Sequence, residues 1–474
     1  MLRPFWFALR RLGSRYRALE CTLVAGLAAA PVRAAHAADA GSPATGSKSA
    51  EPSSREPSPI AIRRTRLDNG LRVVLSRDTS LPTVAICVTY DVGARNESAA
   101  QRGFARLLER LMFQGSRNVG PGEHQRWIAE HGGQSAAETS EDRTRFTTFL
   151  PANALALGLW LEADRMRELE LSRQAFERER ARPPSEKPAA EPESPGARAL
   201  HALVFRDDPP YAPAAIASGA TAAPSADPLP ALRDFHRQYY APNNAVLSVA
   251  GNFEVLDALN LIHTYFSEIR SVSLPPAPGG EPPEQTEARS AVLEGQPGQS
   301  SVLWQGWAIP APRTSEHDAL ELAGAILANG VGSRLHQLLV LDKSQARSVA
   351  VWAERHRGPD LFAVRATLAE SADPELVRRL IQGQIASLGR FGPTSAELMR
   401  AQNQLHAGLL RELDGNRARA SALADAELST HDARLLESDF ERYQHVSRQD
   451  VQRAVARYLR NTSRSDVLLR PPRS

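Results

Sequence analysis

The sequence predicts an α+β protein built from two homologous domains. Three observations carry that expectation. Apolar runs of strand length alternate with amphipathic stretches of helix length in both halves of the chain. The order of those elements repeats. A Pro/Gly-rich stretch, "SVSLPPAPGGEPPEQTEARS" at 271–290, separates the halves and reads as a linker.

The first half opens on two strands, "LRVVLSRD" and "TVAICVTYDV", followed by a helix, and closes on "LPALRDFHRQYYAPNNAVLSVAGNF". The second opens on the strand "SVLWQGWAIP" and the helix "HDALELAGAILANG", and closes on "SRQDVQRAVARYLRNTSRSDVLLRP". Both closings read as a helix, a tyrosine (Tyr240, Tyr458), a polar turn and an apolar strand. Duplication accounts for the matching order better than chance does.

The termini bound the class. Arg3, Arg10, Arg11, Arg15 and Arg17 precede a small-apolar run ending at Val32, and Ala35-His36-Ala37 supplies an A-x-A cleavage signature. Residues 1–37 therefore read as a cleavable signal peptide, with a retained anchor as the alternative; the apolar run is short for a membrane span. Residues 38–58, rich in Ser, Pro, Gly and Ala, read as a disordered leader. The expected domains are 59–270 and 291–474. Removing 1–37 takes away six Arg and one Glu, moving the formal charge from +3 to about −2, so the basic balance implies no nucleic-acid partner. After that removal Cys87 is the one cysteine left, which excludes an intrachain disulfide and a Cys-based metal site.

The stretch "RGFARLLERLMFQGS" at 102–116 predicts an amphipathic helix. Phe104, Leu107, Leu108, Leu111 and Met112 recur with helical period and form a buried stripe. Arg106, Glu109, Arg110 and Phe113 fall on another face. A surface ion pair there would be worth only a few tenths of a kcal/mol.

From about residue 64 to 474 the chain resembles the insulinase/pitrilysin family of inverted-motif zinc peptidases, which includes the mitochondrial processing peptidases and their bacterial relatives. The resemblance rests on "LDNGLRVVL" (67–75), "VTYDVGARNES" (88–98), "HGGQSAAETSEDRTRF" (131–146), "FHRQYYAPNNAVLSVAGNF" (235–253) and "NGVGSRL" (329–335), in that order. It implies antiparallel-rich sheets packed with helices, in two domains facing each other like a clam. It also implies that the strand carrying Ala137 and Thr139 binds extended peptide by edge addition.

Where the family reads Gly-x-Ala-His-x-x-Glu-His, this chain reads Gly103-Phe104-Ala105-Arg106-Leu107-Leu108-Glu109-Arg110. In the active enzymes the two histidines bind zinc and the glutamate polarises water. The resemblance thus makes Glu109 the relic general-base position and Arg106 and Arg110 relic ligand positions. Glu186, 76 residues after Arg110, matches the third ligand, and Glu179 the family's second acidic position. Pro183 and Pro184 depart from the family and should break the helix that presents Glu186.

Guanidinium is donor-only and stays protonated, so it cannot ligate zinc. Two arginines and two carboxylates sum to zero charge, as two histidines, Zn²⁺ and two carboxylates do. Arg106 and Arg110 are therefore expected to pair with Glu109 and Glu186 in the metal's place. After Ser333-Arg334-Leu335 the family's substrate-facing arginine and tyrosine positions hold Val340 and Arg347. The processing-peptidase frame Asn-Ala-x-Thr reads Ala136-Ala137-Glu138-Thr139, without the Asn.

The other histidines have ordinary readings. His124 and His131, seven apart, read as exposed polar residues before the Gly132-Gly133 helix stop rather than a metal site. His201, His236, His263 and His336 are scattered and read as ordinary surface or core residues. No Ser-His-Asp elbow, phosphate-binding glycine loop or haem motif occurs.

These readings lead to a periplasmic or secreted non-catalytic family member with no cofactor. It would pair with an active zinc-bearing relative, or with a second copy, to enclose peptides, with no nucleic acid and no membrane once the signal is cleaved. Two alternatives stand beside it: an active zinc endopeptidase with altered ligands, and a stand-alone periplasmic peptide-binding scaffold.

Overall fold

The computed structural model describes residues 61–182, 194–206, 211, 227–276, 284–296 and 298–471. The expected signal peptide and leader, together with Pro183, Pro184 and Glu186, lie outside the described residues.

The first half contributes β1 (Arg63–Arg66), β2 (Arg72–Arg77), β3 (Thr83–Tyr90), α1 (Phe104–Leu111), α2 (Glu123–Glu130), β4 (Gln134–Thr139), β5 (Thr144–Pro151), α3 (Leu155–Arg167), α4 (Arg173–Ala181), α5 (Pro195–Val204), α6 (Leu229–Tyr239), β6 (Ala245–Gly251) and α7 (Val255–Phe266). The second contributes β7 (Arg289–Glu294), β8 (Val302–Ile309), α8 (Ser315–Ala328), β9 (Ala346–Ala353), β10 (Asp360–Leu368), α9 (Pro374–Phe391), α10 (Ser395–Glu412), α11 (Asn416–Thr430), α12 (Leu435–Arg442), α13 (Arg448–Tyr458) and β11 (Ser465–Arg470).

The duplication is visible in the sheets. The first is ordered β1-β2-β6-β3-β5-β4 and the second β7-β11-β8-β10-β9. Leaving β1 aside, the strands correspond one to one in chain order. In each sheet the first pair is parallel (β2 with β6, β7 with β11) and the remaining pairs are antiparallel. The architecture is thus the expected α+β pair of antiparallel-rich sheets. β7 begins at Arg289, just before the expected domain start at 291. Its alternating, half-exposed residues beside the Pro/Gly-rich stretch give little apolar signal.

Both faces of each central strand are buried, and the two faces differ in residue size. On β3, Val84, Ile86, Val88 and Tyr90 pack into a core shared with α1, α3, α6 and α7. Ala85 and Cys87 point the other way, and with Ala250 of β6 they receive Ala420, Leu423 and Ala424 of α11. Small residues on both sides let that helix lie close to the sheet. The covering helix comes from the second half.

The reverse exchange also occurs. α5, from the first half, lies on the second sheet, where Leu200 and Val204 pack with Trp304, Leu361, Ala363 and Val467. A Cβ on Gly196 would stand 2.3 Å from the Trp304 ring, so glycine is required for this approach. The described residues of the two halves form one compact unit.

Ion pairs fix α11 in register on the first sheet. Buried Glu427 accepts from Arg64 at 2.7 and 2.9 Å, Asp425 pairs with Arg143 and Arg145 at 3.2 and 3.3 Å, and Arg419 pairs with Asp78 at 2.6 Å. Asn416 donates to the Thr83 carbonyl at 3.1 Å. No helix among the described residues is long and apolar enough to cross a membrane.

Two sequence expectations change here. His124 is buried, not exposed. α2 turns His124 and Ile128, one turn apart, onto a single buried face, and the imidazole meets the Phe113 ring edge-on. His131 does sit exposed, at the helix end. Phe113 is buried rather than sharing the polar face of α1, because the helix ends at Leu111 and its spacing no longer applies.

His236 on α6 stacks on Tyr240, and burial lowers its pKa from 6.5 to about 4. The unfolded chain therefore binds a proton between those values that the folded chain does not, and stability falls as pH drops through that window. Urea unfolding from about pH 7.5 to about pH 4.5 should show a loss from this residue of roughly 2 kcal/mol. His236→Leu should reduce the pH slope in that interval, and an unchanged slope would contradict the assignment.

Candidate functional site

α1 is held by its buried stripe and by its N-terminus. Phe104, Leu107, Leu108, Leu111 and Met112 are buried, as the spacing predicts, and Ala105 is buried with them. Gly103 precedes the helix at φ +84° and offers no side-chain cap. Glu97 supplies one instead, its carboxylate accepting from the Gly103 and Ala105 backbone N–H groups at 2.7 and 2.8 Å. Burial nevertheless pushes the Glu97 carboxyl up to about 7, against those hydrogen bonds and the nearby Arg106 charge.

The polar face of α1 is asymmetric. Arg106 is exposed, while Glu109 and Arg110 are half-buried. Arg110 reaches across to α4. Its guanidinium donates to the Glu179 carbonyl at 3.2 Å, and its Nε lies 3.6 Å from Glu179 Oε2. Glu179 is 3% exposed and is also approached by Arg182 at 3.4 Å and Arg178 at 3.9 Å. Burial lowers the Arg110 pKa, while Glu179 and Glu109 raise it. Among the described residues the carboxylate facing Arg110 is thus Glu179; Glu186, expected to pair with this arginine face, lies outside them. α4 stops at Ala181, and Arg182 is extended (φ −64°, ψ 125°), the conformation favoured before a proline.

These residues do not fit zinc. A catalytic zinc site needs three protein ligands with free lone pairs and one open position. α1 offers one carboxylate between two guanidiniums, and Glu179 is enclosed by arginines.

β4 is the edge strand of the first sheet and packs beside α1. It pairs with β5 along one side, and Ala137 packs against the first core. Its side chains alternate between exposed and half-buried, with Ala137 and Thr139 on the half-buried face. Its other side is the kind of strand edge to which an extended segment can add. In the second half, Val340 lies in a π-helical turn, His336–Asp342, against the second core. Arg347 is exposed on β9, the edge strand of the second sheet. Arg334 of the Ser-Arg-Leu segment is held by Glu397 at 2.7 and 2.9 Å.

The structure also brings together groups that the sequence reading did not join. His317, Asp318 and Glu321 form one cluster, and His201, Glu354 and His356 another. The first is a closed ionic network: His317 Nε2 lies 2.8 Å from Asp360, and Glu321 pairs with Arg355 and Arg442 at 3.2 and 3.3 Å. His317 and Glu321, one helical turn apart, were a readable signal. Glu354-x-His356 was another, but its partner His201 is 153 positions away in the sequence.

The asymmetry on α1 predicts unequal mutational costs. Arg106→Ala should change unfolding free energy by less than about 0.5 kcal/mol. Arg110→Ala removes one of three cations around a buried carboxylate and should cost about 1–2 kcal/mol. A double-mutant cycle of Arg110→Met with Glu179→Gln should show coupling of about 0.5 kcal/mol or more. Additive effects would mean that the pair carries no net interaction.

Known proteins share this chain's sequence pattern and fold. A family model described as "Insulinase (Peptidase family M16)" matches residues 72–214, and one described as "Peptidase M16 inactive domain" matches residues 229–405. The zinc protease PqqE of Helicobacter pylori is 26% identical over 410 residues, covering 85% of this chain and 92% of that protein. Among solved structures, a protease from Helicobacter pylori superposes with a TM-score of 0.75 at 23% identity, covering 87% of this chain and all of that one. The periplasmic protease PqqL from Escherichia coli superposes with a TM-score of 0.68 at 14% identity, covering 87% of this chain and 48% of that one. With successive family models matching its two halves and its fold shared with solved peptidases, the chain belongs to the insulinase (M16) peptidase family.

Proposed function

We propose that this chain is an exported, non-catalytic member of the family that binds extended peptide along β4 and works as the partner subunit of a zinc-bearing relative. One observation carries the reading. The α1 face that holds metal in active members presents Arg106 and Arg110 here, and Arg110 is engaged with Glu179. Without ligands there is nothing to lower the pKa of a bound water, and Glu109 has no activated nucleophile to assist. The edge strand survives beside that helix, so peptide binding is separable from cleavage.

Export is supported by the basic and small-apolar pattern of residues 1–37 and by likeness to a protease described as periplasmic. Pairing is supported by the family resemblance, in which a degenerate subunit completes the chamber of a competent one. Val340 and Arg347, at the family's substrate positions, leave direct substrate contact to β4 rather than to the second half.

The test is peptide turnover by the purified chain in zinc-supplemented buffer, compared with Glu109→Gln. Equal, background-level turnover is expected from both. Cleavage by the wild type that the substitution abolishes would overturn the reading and establish an active peptidase with altered ligands. Sizing of the native complex decides the partnership, because a chain that runs alone from its own periplasm is a stand-alone scaffold.

A further inference from the structure

The second cluster named above shares no residue with the degenerate helix and concerns a different chemistry. His201 projects from α5, the helix that crosses to the second sheet. Glu354 and His356 stand on the turn between β9 and β10. One donor atom from each lies within 4.8 Å of the other two. His201 is 3% exposed and His356 is 4% exposed.

His201 is the informative member. Both of its ring nitrogens are buried without a hydrogen-bond partner. Leaving such groups unsatisfied costs about 1–3 kcal/mol, so a buried imidazole of this kind calls for an explanation. Its surroundings are aromatic: the Phe205 ring lies 4.6 Å away and the His356 ring 5.5 Å away, nearly perpendicular. A ring this buried is neutral and keeps a lone pair available.

Acceptors surround His356: Glu354 and Glu141 at its Nε2, and the Pro359 carbonyl and Asp360 at its Nδ1, so an ion at Nε2 takes the place of the proton shared with Glu354. Its Nδ1 faces the Pro359 carbonyl at 3.3 Å, and its backbone N–H donates to Asp360 Oδ1 at 3.3 Å. Tyr211 stacks on its ring at 5.0 Å. A histidine ligand that gives one ring nitrogen to a carbonyl presents the other to the metal. That other nitrogen, Nε2, lies 3.1 Å from Glu354 Oε2. Two donors on one tetrahedral ion, each bonded at about 2.1 Å, stand about 3.4 Å apart. Glu141, on the turn after β4, brings Oε2 to 3.8 Å from the same Nε2 and is a further carboxylate within reach.

We propose that His201, Glu354 and His356 form a structural site for one divalent transition-metal ion of the zinc class, joining α5 to the β9–β10 turn. Two imidazoles and a carboxylate suit zinc and its neighbours better than magnesium or calcium, which take oxygen donors. The ion satisfies a ring nitrogen of His201 that the protein leaves orphaned. It ties a helix of the first half to a turn of the second, beside the loop that ends the edge strand. Its role is to hold the exchanged helix in place, and it owes nothing to the proposal of lost catalysis.

The experiment uses the full chain, stripped with chelator and titrated with Zn²⁺ or Co²⁺. Metal content after gel filtration, thermal unfolding with and without metal, and the visible Co²⁺ spectrum are the readouts. One equivalent should bind, raise Tm and give a low-coordinate Co²⁺ spectrum. His201→Phe, which keeps an aromatic ring in an aromatic pocket, and Glu354→Gln should lose the bound equivalent and the metal-dependent rise in Tm. Glu109→Gln, on α1, should keep both. Absence of stoichiometric metal in the folded wild type, or its retention in folded His201→Phe, would overturn the proposal. An equivalent lost with Glu109→Gln instead would place the ion on the old helix and overturn both this proposal and that of a non-catalytic chain.

Discussion

The architecture depends on one constraint: each sheet is apolar on both faces, and the helices of its own half cover only one of them. Val84, Ile86 and Val88 are covered within the first half, while Ala85 and Cys87 wait for α11. The second sheet has the same need, met by α5 on Trp304 and Ala363. Neither half can be lifted from the other without exposing a sheet face to water. The many arginines take their place in this arrangement. Arg64, Arg143, Arg145 and Arg419 hold α11 through carboxylates, so apolar contact supplies the burial and ion pairs set the register.

That exchange also marks the boundary of what could be read from the sequence. Local period identified α1 with its five-residue stripe, the central strands and the repeated closing unit, because each depends on neighbours within a few residues. The family resemblance placed β4 and the degenerate motif. Periodicity shows that α5 and α11 each have an apolar face, but not which sheet receives it. β7 escaped notice because it is half-exposed, and His124 because its exposure depends on which face α2 turns inward. The His201, Glu354 and His356 cluster escaped for the same reason as the helix exchange: two of its residues stand two apart in sequence, and the third arrives on a helix from the other half.

The relic site divides along similar lines. The loss of zinc ligands follows from residue chemistry alone, since no fold makes guanidinium a ligand. The charge balance needed coordinates. Of the expected network of two arginines with Glu109 and Glu186, Glu186 lies outside the described residues; within them Arg106 is exposed and Arg110 is half-buried against Glu179. Burial decides this: the residue one turn closer to the α1 C-terminus lies against α4, and the other faces outward.

On the proposed reading, this helix holds its place without metal because packing and capping within the chain fix its position. Phe104, Leu107, Leu108 and Leu111 anchor it from below, and Glu97 satisfies its first N–H groups. Zinc bound on the opposite face would add to that anchoring but would not create it. Once the arginines are present, Glu179 still finds cationic partners, and the α1–α4 contact persists without metal. β4, packed beside α1, keeps its place by the same support. On the proposed reading, the β4 edge and the family's catalytic face are therefore mechanically linked through one helix but chemically independent, so that one can be lost while the other is retained.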